Sequence, residues 1–462
     1  MKIIRYIFLP ILFFIFFFFL YRHEAINYSS KYHFDERDWI SRSFYFETFI
    51  NRNFKSELWN NYKIDGDPRL ASYIFGFSIY PDYLKVKKNK GNDYDMLSYL
   101  IDNNYYPKEY LSKSIIKKYD KYVPPEFINW SSRAASGKTP NELLKIYGPN
   151  FQKTINIIFK AEKISIFFLI LSILVVYLIT IISTNSILAS IMTTFLYGLS
   201  FLVFEYGTIA YAEGILLFLI NLSVLDLVIY FNSKNKIVKN LCVLFFPIIA
   251  ALANQTKSNG LLLMIIYCFF IILKVVMQKN INILTVLKSM LLEILIPVLI
   301  FVFVYIITNP FLWFNPIRNT IFQYKWTLNI SLNQQKEYPK YALFNGKDRI
   351  MCIYNSLFAN RYGGGLKPYF LKNPLLSKIY TILIDAFFTI GIANLFYKLI
   401  KNRRLTGDGV LLIITLLFYI FLIFYLLIAW DRYLVHMVFF IFYITVQGLF
   451  FIFNKIYKKP LI

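Results

Sequence analysis

The segment His33-Phe34-Asp35-Glu36-Arg37-Asp38-Trp39 places two adjacent carboxylates, Asp35 and Glu36, a short linker beyond an apolar run that ends near Leu20. A carboxylate held at a membrane surface can take the proton from an incoming hydroxyl, the task of a general base. Taken alone, an acidic pair after an apolar run is more often a solvated loop. With His33 the pair could also hold a divalent metal, although three ligand types in one loop seldom do so. Polar groups recur beside other apolar runs: Trp59 followed by Asp65-Gly66-Asp67-Pro68-Arg69-Leu70 and Tyr73, then Tyr211-Ala212-Glu213, Asn254-Gln255-Thr256-Lys257 and Trp430-Asp431-Arg432-Tyr433. Glu213 supplies a further acid. Lys257 and Arg432 are cations suited to a phosphate, Lys as a point charge and Arg as a bidentate fork. Bland readings stand beside these: Lys257 as an anchor snorkelling to headgroups, Arg432 paired only with Asp431, Glu213 as a solvated helix start, His436 as a packed helix histidine. Arg361-Tyr362-Gly363-Gly364-Gly365 could bring backbone close to a phosphate, but a glycine hinge is the commoner role for such a run.

These residues need a scaffold, and composition says what kind. The hydrophobic fraction is 57% and the aromatic fraction 20%, against roughly 45–50% apolar for a soluble domain. The run from Ile3 to Leu20, with Phe16, Phe17, Phe18 and Phe19 in a block, is too long and apolar for anything but lipid. Hydropathy predicts an all-α polytopic protein with about ten transmembrane helices, near 3–20, 164–183, 186–204, 209–231, 240–256, 259–277, 290–307, 376–397, 409–429 and 433–453. A signal peptide is the alternative for the first, but the run is long and no small-residue cleavage site follows before His23 and Glu24.

If these spans alternate, Lys2 and Arg5, Lys234, Lys236 and Lys239, Lys274, Lys279 and Lys288, Lys398, Lys401, Arg403 and Arg404, and Lys455, Lys458 and Lys459 all fall on one side. That side is the cytoplasm, and both termini are predicted there. The acidic pair, Glu213, Lys257 and Arg432 fall together on the outer face. A buried isolated charge costs about 2.5–3.5 kcal/mol on insertion scales, so charges gathered at span ends more plausibly line a polar site than face lipid. The expected organisation is a first span (1–20), a large first outer loop (21–163), six spans (164–307), a second outer loop (308–375), and three spans with a cytoplasmic tail (376–462). Pro and Gly punctuate the first loop, which reads as interfacial helices and not an independent domain.

The net charge of +24 sits largely in turns between apolar runs, with no basic helix or RNA-binding motif. Nucleic acid is excluded and membrane lipids, above all anionic headgroups, are the natural partners. Cys242 and Cys268 lie in apolar runs and Cys352 in a polar segment, so no disulfide framework is possible.

The order of elements resembles the GT-C superfamily of polyprenyl-phosphate-dependent glycosyltransferases, in particular the protein O-mannosyltransferase and aminoarabinose-transferase-like branch. The resemblance runs along most of the chain: an acidic pair after the first span, a Pro-Leu element at Pro68 to Leu70, an acid opening the fourth span, Lys257 after the fifth, Asn309-Pro310 after the seventh and Asp431-Arg432-Tyr433 near the end. It implies a GT-C-like fold, a catalytic carboxylate at Asp35 or Glu36, a second acid at Glu213, and a donor phosphate near Lys257 and Arg432. Weaker substrate contacts fall to Asp67, Arg69, Arg361 and Tyr362. It further implies a polyprenyl-phosphate sugar as donor substrate, inversion at the sugar carbon, and a lipid, glycan or protein acceptor on the periplasmic, extracellular or lumenal face. The membrane would be the bacterial inner membrane or the endoplasmic reticulum, and a divalent metal is a possible cofactor. Two rivals remain. A polysaccharide polymerase or ligase tends to carry its largest outer loop late in the chain, whereas here it comes first. A lipid-linked glycan flippase or transporter would place polar residues near the midplane, where Asp226, Glu293 and Asp385 keep it in play, although no repeat of paired halves is visible.

Overall fold

The computed structural model describes residues 4–26, 32–60, 69–103, 113–119, 137–258, 260–277, 290–359, 374–402 and 404–457, with Leu284 and Leu287 as isolated positions. Asp67, Arg361 and Tyr362 lie outside the described residues.

The protein is an all-α polytopic membrane protein. Its apolar helices begin with α1 (Leu9–Ile26), whose outward residues Ile11, Ile15 and Phe19 are exposed while Phe13, Phe17 and Tyr21 are buried. A soluble helix with such residues in water would be unstable; facing lipid, it is not. The first loop contributes α2 (Phe34–Ser41), α3 (Phe44–Ile50), α4 (Leu70–Lys90), α5 (Met96–Asp102), α6 (Lys113–Tyr119) and α7 (Pro140–Tyr147). Next comes α8 (Gln152–Thr184), 33 residues long and so about 50 Å at 1.5 Å per residue. That exceeds a hydrocarbon core of about 30 Å, so the helix carries residues ahead of its apolar stretch, Glu162 among them.

The next expected span is broken. α9 (Ile187–Gly198) and α10 (Phe201–Thr208) meet at a 57° bend. Two contacts fix the break. The ring of Phe17 lies where a Cβ on residue 198 would be, so only glycine fits there, and the Tyr21 hydroxyl donates to the carbonyl of Gly198. The chain leaving α10 thereby reaches the turn Ile209–Tyr211 that opens α11 (Ala212–Asn232). Deeper down, Asn221 donates to Ser172 Oγ (2.8 Å) and Tyr197 Oη (3.2 Å), tying α8, α9 and α11 through groups that lipid could not satisfy.

Then follow α12 (Lys236–Thr256), α13 (Gly260–Val276), α14 (Ile296–Ile307), the more polar helices α15 (Pro316–Glu337) and α16 (Gly346–Tyr354), and finally α17 (Pro374–Asn402), α18 (Gly407–Tyr425) and α19 (Val438–Tyr457). Among the described residues seven helices are long and apolar enough to cross a membrane, the bent pair makes an eighth if it is one span, and the shorter apolar helices Gly260–Val276 and Leu291–Ile307 stand where two further spans were expected. α17 and α19 pack at backbone distance, because a Cβ at Gly391 or Gly448 would collide with the carbonyl of Ile444 or Phe387. This is the small-residue mode of helix association that lipid favours.

Candidate active site

The site starts at the N-terminus of α2. His33 caps the helix: its Nδ1 accepts the backbone N–H of Asp35 (3.2 Å), and its own N–H donates to Glu36 Oε2 (2.9 Å), a reciprocal capping box. Both acids therefore occupy the first turn, where the helix dipole favours negative charge. Successive helical residues point about 100° apart, so the two cannot share a direction. Asp35 faces a cavity of about 250 Å³, along with Asp38, Trp39 and Arg42 on the same helical face. Glu36 faces inward and is fully buried.

Glu36 has a different set of partners. Besides the cap, its Oε1 accepts the N–H of Ala210 (2.8 Å), so one carboxylate ties α2 to the turn before α11. The carboxyl of Glu162 on α8 bonds it from the third side. Two buried carboxyls in contact cannot both be ionised, and they hold a proton between them. Burial pushes the Glu36 carboxyl up from an ordinary value of 4.5 to about 7. The folded protein then favours the protonated form, so this contribution to stability is complete below 4.5 and is lost as pH rises through about 7. The melting temperature in scanning fluorimetry should accordingly fall as pH rises through neutrality. Glu162→Gln, whose amide N–H replaces the shared proton at every pH, should flatten that fall; an unaltered profile would remove the pair as its cause.

Three charges from far along the chain share the cavity of Asp35, and one of them bonds it. Arg432, on the short turn Asp431–Tyr433 ahead of α19, donates from Nη1 to Asp35 Oδ2. Its guanidinium also lies over the rings of Trp430 (4.5 Å) and Tyr433 (5.3 Å), which fix its plane. Lys257 follows the last turn of α12 and donates to Glu213 Oε1 at 2.6 Å, with the Tyr433 ring 5.0 Å from its Nζ. Glu213 is buried in the first turn of α11. Asp35, Glu213, Lys257 and Arg432 all line the same cavity.

The rest of the wall explains what else could enter. α15 presents Thr327, Ile330, Ser331 and Gln334, largely polar, and α18 presents Phe421, Leu422 and Tyr425, largely apolar. His436 is buried, lines this cavity, and has no hydrogen-bond partner at Nε2 among the described residues. Sequence reading had set it aside as packing; its one-turn spacing from Arg432 was the available signal. Asp38, Trp39 and Arg42 were missed too, although their i, i+3, i+4, i+7 relation to Asp35 marks them as one helical face. Burial disfavours the charged form of His33, and its Nδ1 also lies in contact with the Tyr211 hydroxyl, which burial keeps protonated.

Arg69 lies elsewhere: it is fully buried with its guanidinium 4.4 Å from the Tyr45 ring centroid, and it does not line the cavity. Two of the charges that kept a transporter in play have local partners. Glu293 accepts from Lys274 (2.6 Å) and the Tyr230 hydroxyl, near the end of α11 remote from Glu213, and Asp385 accepts from the Tyr354 hydroxyl (2.8 Å). Neither they nor Asp226 lines the cavity of Asp35. Among the described residues no group of three or more His, Cys, Asp or Glu is placed to hold a metal ion.

With this geometry in place, residues 118–316 match the family of dolichyl-phosphate-mannose-protein mannosyltransferases, a GT-C superfamily family. The match covers less than half of the chain. The matched segment contains Glu213 and Lys257, while Asp35 and Arg432 lie outside it. The family implies a membrane glycosyltransferase that draws on a polyprenyl-phosphate-linked sugar donor. Neither the curated proteins nor the solved structures contain a match to the chain.

Proposed function

We propose that this chain works as an inverting transferase, moving one sugar from a polyprenyl-phosphate donor to an acceptor hydroxyl at the outer face, with Asp35 as the base. The observation that carries this reading is the convergence of Asp35, Glu213, Lys257 and Arg432 on one cavity from positions up to 397 residues apart. A donor on an isoprenoid tail does not leave the bilayer, so its site must open where lipid meets water. The distribution of Lys and Arg supports the outer side and cytoplasmic termini.

In the displacement the acceptor oxygen bonds to the anomeric carbon, the bond from that carbon to the phosphate oxygen breaks, the proton passes to Asp35, and the electron pair leaves with the polyprenyl phosphate. Asp35 is singled out over Glu36 because it reaches the cavity while both Glu36 oxygens are engaged. Lys257 keeps two of its three N–H donors after bonding Glu213, and these meet the phosphate. Glu213 aims Lys257 and is not the base. Arg432 orients Asp35 through Nη1, while its Nε, unpartnered among the described residues, adds a donor for the charge developing on the leaving group.

Removing Lys257 deletes a charge-assisted hydrogen bond of about 1.5–3 kcal/mol. Donor titration of Lys257→Ala in nanodiscs should show KM for the lipid donor raised about tenfold to a hundredfold, with Lys257→Arg recovering part of it. An unchanged donor KM would take Lys257 out of the site.

A further inference from the structure

The Asp35–Arg432 ion pair is a partition. On its far side lies a second cavity, of about 360 Å³, to which Asp35 and Arg432 also contribute. Its other chemistry comes from Tyr206, Tyr338, Tyr341 and Trp430 together with Glu205 and Asp431. One carboxylate thus touches two chambers that differ in character: the first has Lys257 and an apolar wall, the second has aromatic rings and acids.

The second chamber is a built structure. After α15 the chain turns through Pro339–Tyr341 and pairs antiparallel with the segment ahead of Arg432, at the bridge Ala342 to Ile428. Ala429 N donates to Tyr341 O (2.8 Å), Leu343 N donates to Leu427 O (3.0 Å), and the Gln335 amide donates to Leu427 O (2.8 Å). This stitch holds Tyr338 beside Trp430, ring centroids 6.1 Å apart.

Its lining selects among ligands. Asp35, Glu205 and Asp431 outnumber Arg432, the cation among the lining residues apart from His33, whose charged form is penalised by burial, so a second phosphate is disfavoured. A peptide bound by strand addition needs free main-chain groups, but on the facing edges Ala429 N and Tyr341 O, and Leu343 N and Leu427 O, are spent on each other, and the Gln335 amide takes up Leu343 O and Leu427 O as well. A neutral sugar asks for what is present: ring faces for its C–H surfaces and carboxylates to accept from its hydroxyls. The matched family's description names a protein as acceptor; the chamber beside Asp35 has a different chemistry.

We propose that this second cavity is the acceptor site and that it takes a neutral saccharide, one of whose hydroxyls is presented across the partition to Asp35. The inference rests on Asp35 as the base. The bond changes are those given above, with the attacking oxygen now a sugar hydroxyl.

The test uses the full chain in nanodiscs, free of glycoside detergents, and no donor. Saturation-transfer NMR is run with neutral oligosaccharides ending in glucose, galactose, mannose or N-acetylglucosamine, and with a Ser/Thr-rich peptide for comparison. The expected result is saturation of the ring protons of at least one oligosaccharide. Its Kd should rise about tenfold or more in Tyr338→Ala, where the stacking face is lost; Tyr338→Phe should stay close to the parent and Lys257→Ala should leave sugar binding in place. Glu205→Gln, at an exposed position, should weaken the same signal and keeps the test decisive if Tyr338→Ala does not fold. Saturation of the peptide alone, of no sugar, or of sugar with no dependence on Tyr338 and Glu205 would overturn the proposal. Because no donor is present, the two readings fail separately. Sugar binding in a protein whose Asp35→Asn variant still transfers normally would sink the base and spare the cavity, whereas transfer to the peptide alone would do the reverse.

Discussion

Asp35→Asn is expected to lower the rate of sugar transfer about 10²- to 10⁴-fold, the range that a positioned general base contributes. Asparagine keeps the shape of the side chain and an oxygen for Arg432, but it cannot accept the acceptor's proton. Donor affinity should change much less, since Lys257 and Glu213 remain paired in the same cavity. Losing one member of the partly buried ion pair with Arg432 costs some stability, so melting and size-exclusion profiles belong beside the rate. A folded Asp35→Asn protein transferring at the parent rate would remove Asp35 from the chemistry.

Glu36→Ala should fail in another way. It strips the N–H groups of His33 and Ala210 of their acceptor and leaves the Glu162 carboxyl facing a void. Each orphaned buried N–H costs about 1–3 kcal/mol, so a loss of about 2–6 kcal/mol is expected, a large part of the stability of a typical domain. The measurement is the yield of monodisperse protein and its melting temperature, with transfer rate normalised to folded protein. A well-folded Glu36→Ala protein with its rate reduced as far as in Asp35→Asn would show that Glu36, not Asp35, takes the proton.

The contrast between these neighbours shows where reading the chain runs out. Long apolar runs announce lipid-facing helices without ambiguity, and the all-α polytopic fold was legible from them, while the order of the polar clusters carried the resemblance to the family whose model matches residues 118–316. The convergence of residues 35, 213, 257 and 432 could be expected because each stands at a span end on one predicted face. The division of labour between Asp35 and Glu36 could not. It depends on which side of α2 meets the turn at Ala210, and that turn is placed by the break between α9 and α10, where Tyr21 and Phe17 pack against Gly198. No local pattern in α9 or α10 encodes a partner on α1. Arg69 misled for a related reason: a cation beside a Pro and an acid reads as a ligand contact, while the fold seats it against Tyr45. The aromatic chamber was hidden because Tyr338 and Trp430 are 92 residues apart and meet only through the pairing of Ala342 with Ile428.

The most direct test is lipid mass spectrometry on the parent protein and Asp35→Asn, each purified from the same membranes. If the chain uses a polyprenyl-phosphate sugar and Asp35 removes the acceptor proton, the parent should carry mainly the discharged polyprenyl phosphate and Asp35→Asn should accumulate the intact sugar-charged lipid. No polyprenyl-phosphate lipid on either protein, or the same ratio of charged to discharged lipid on both, would contradict the account.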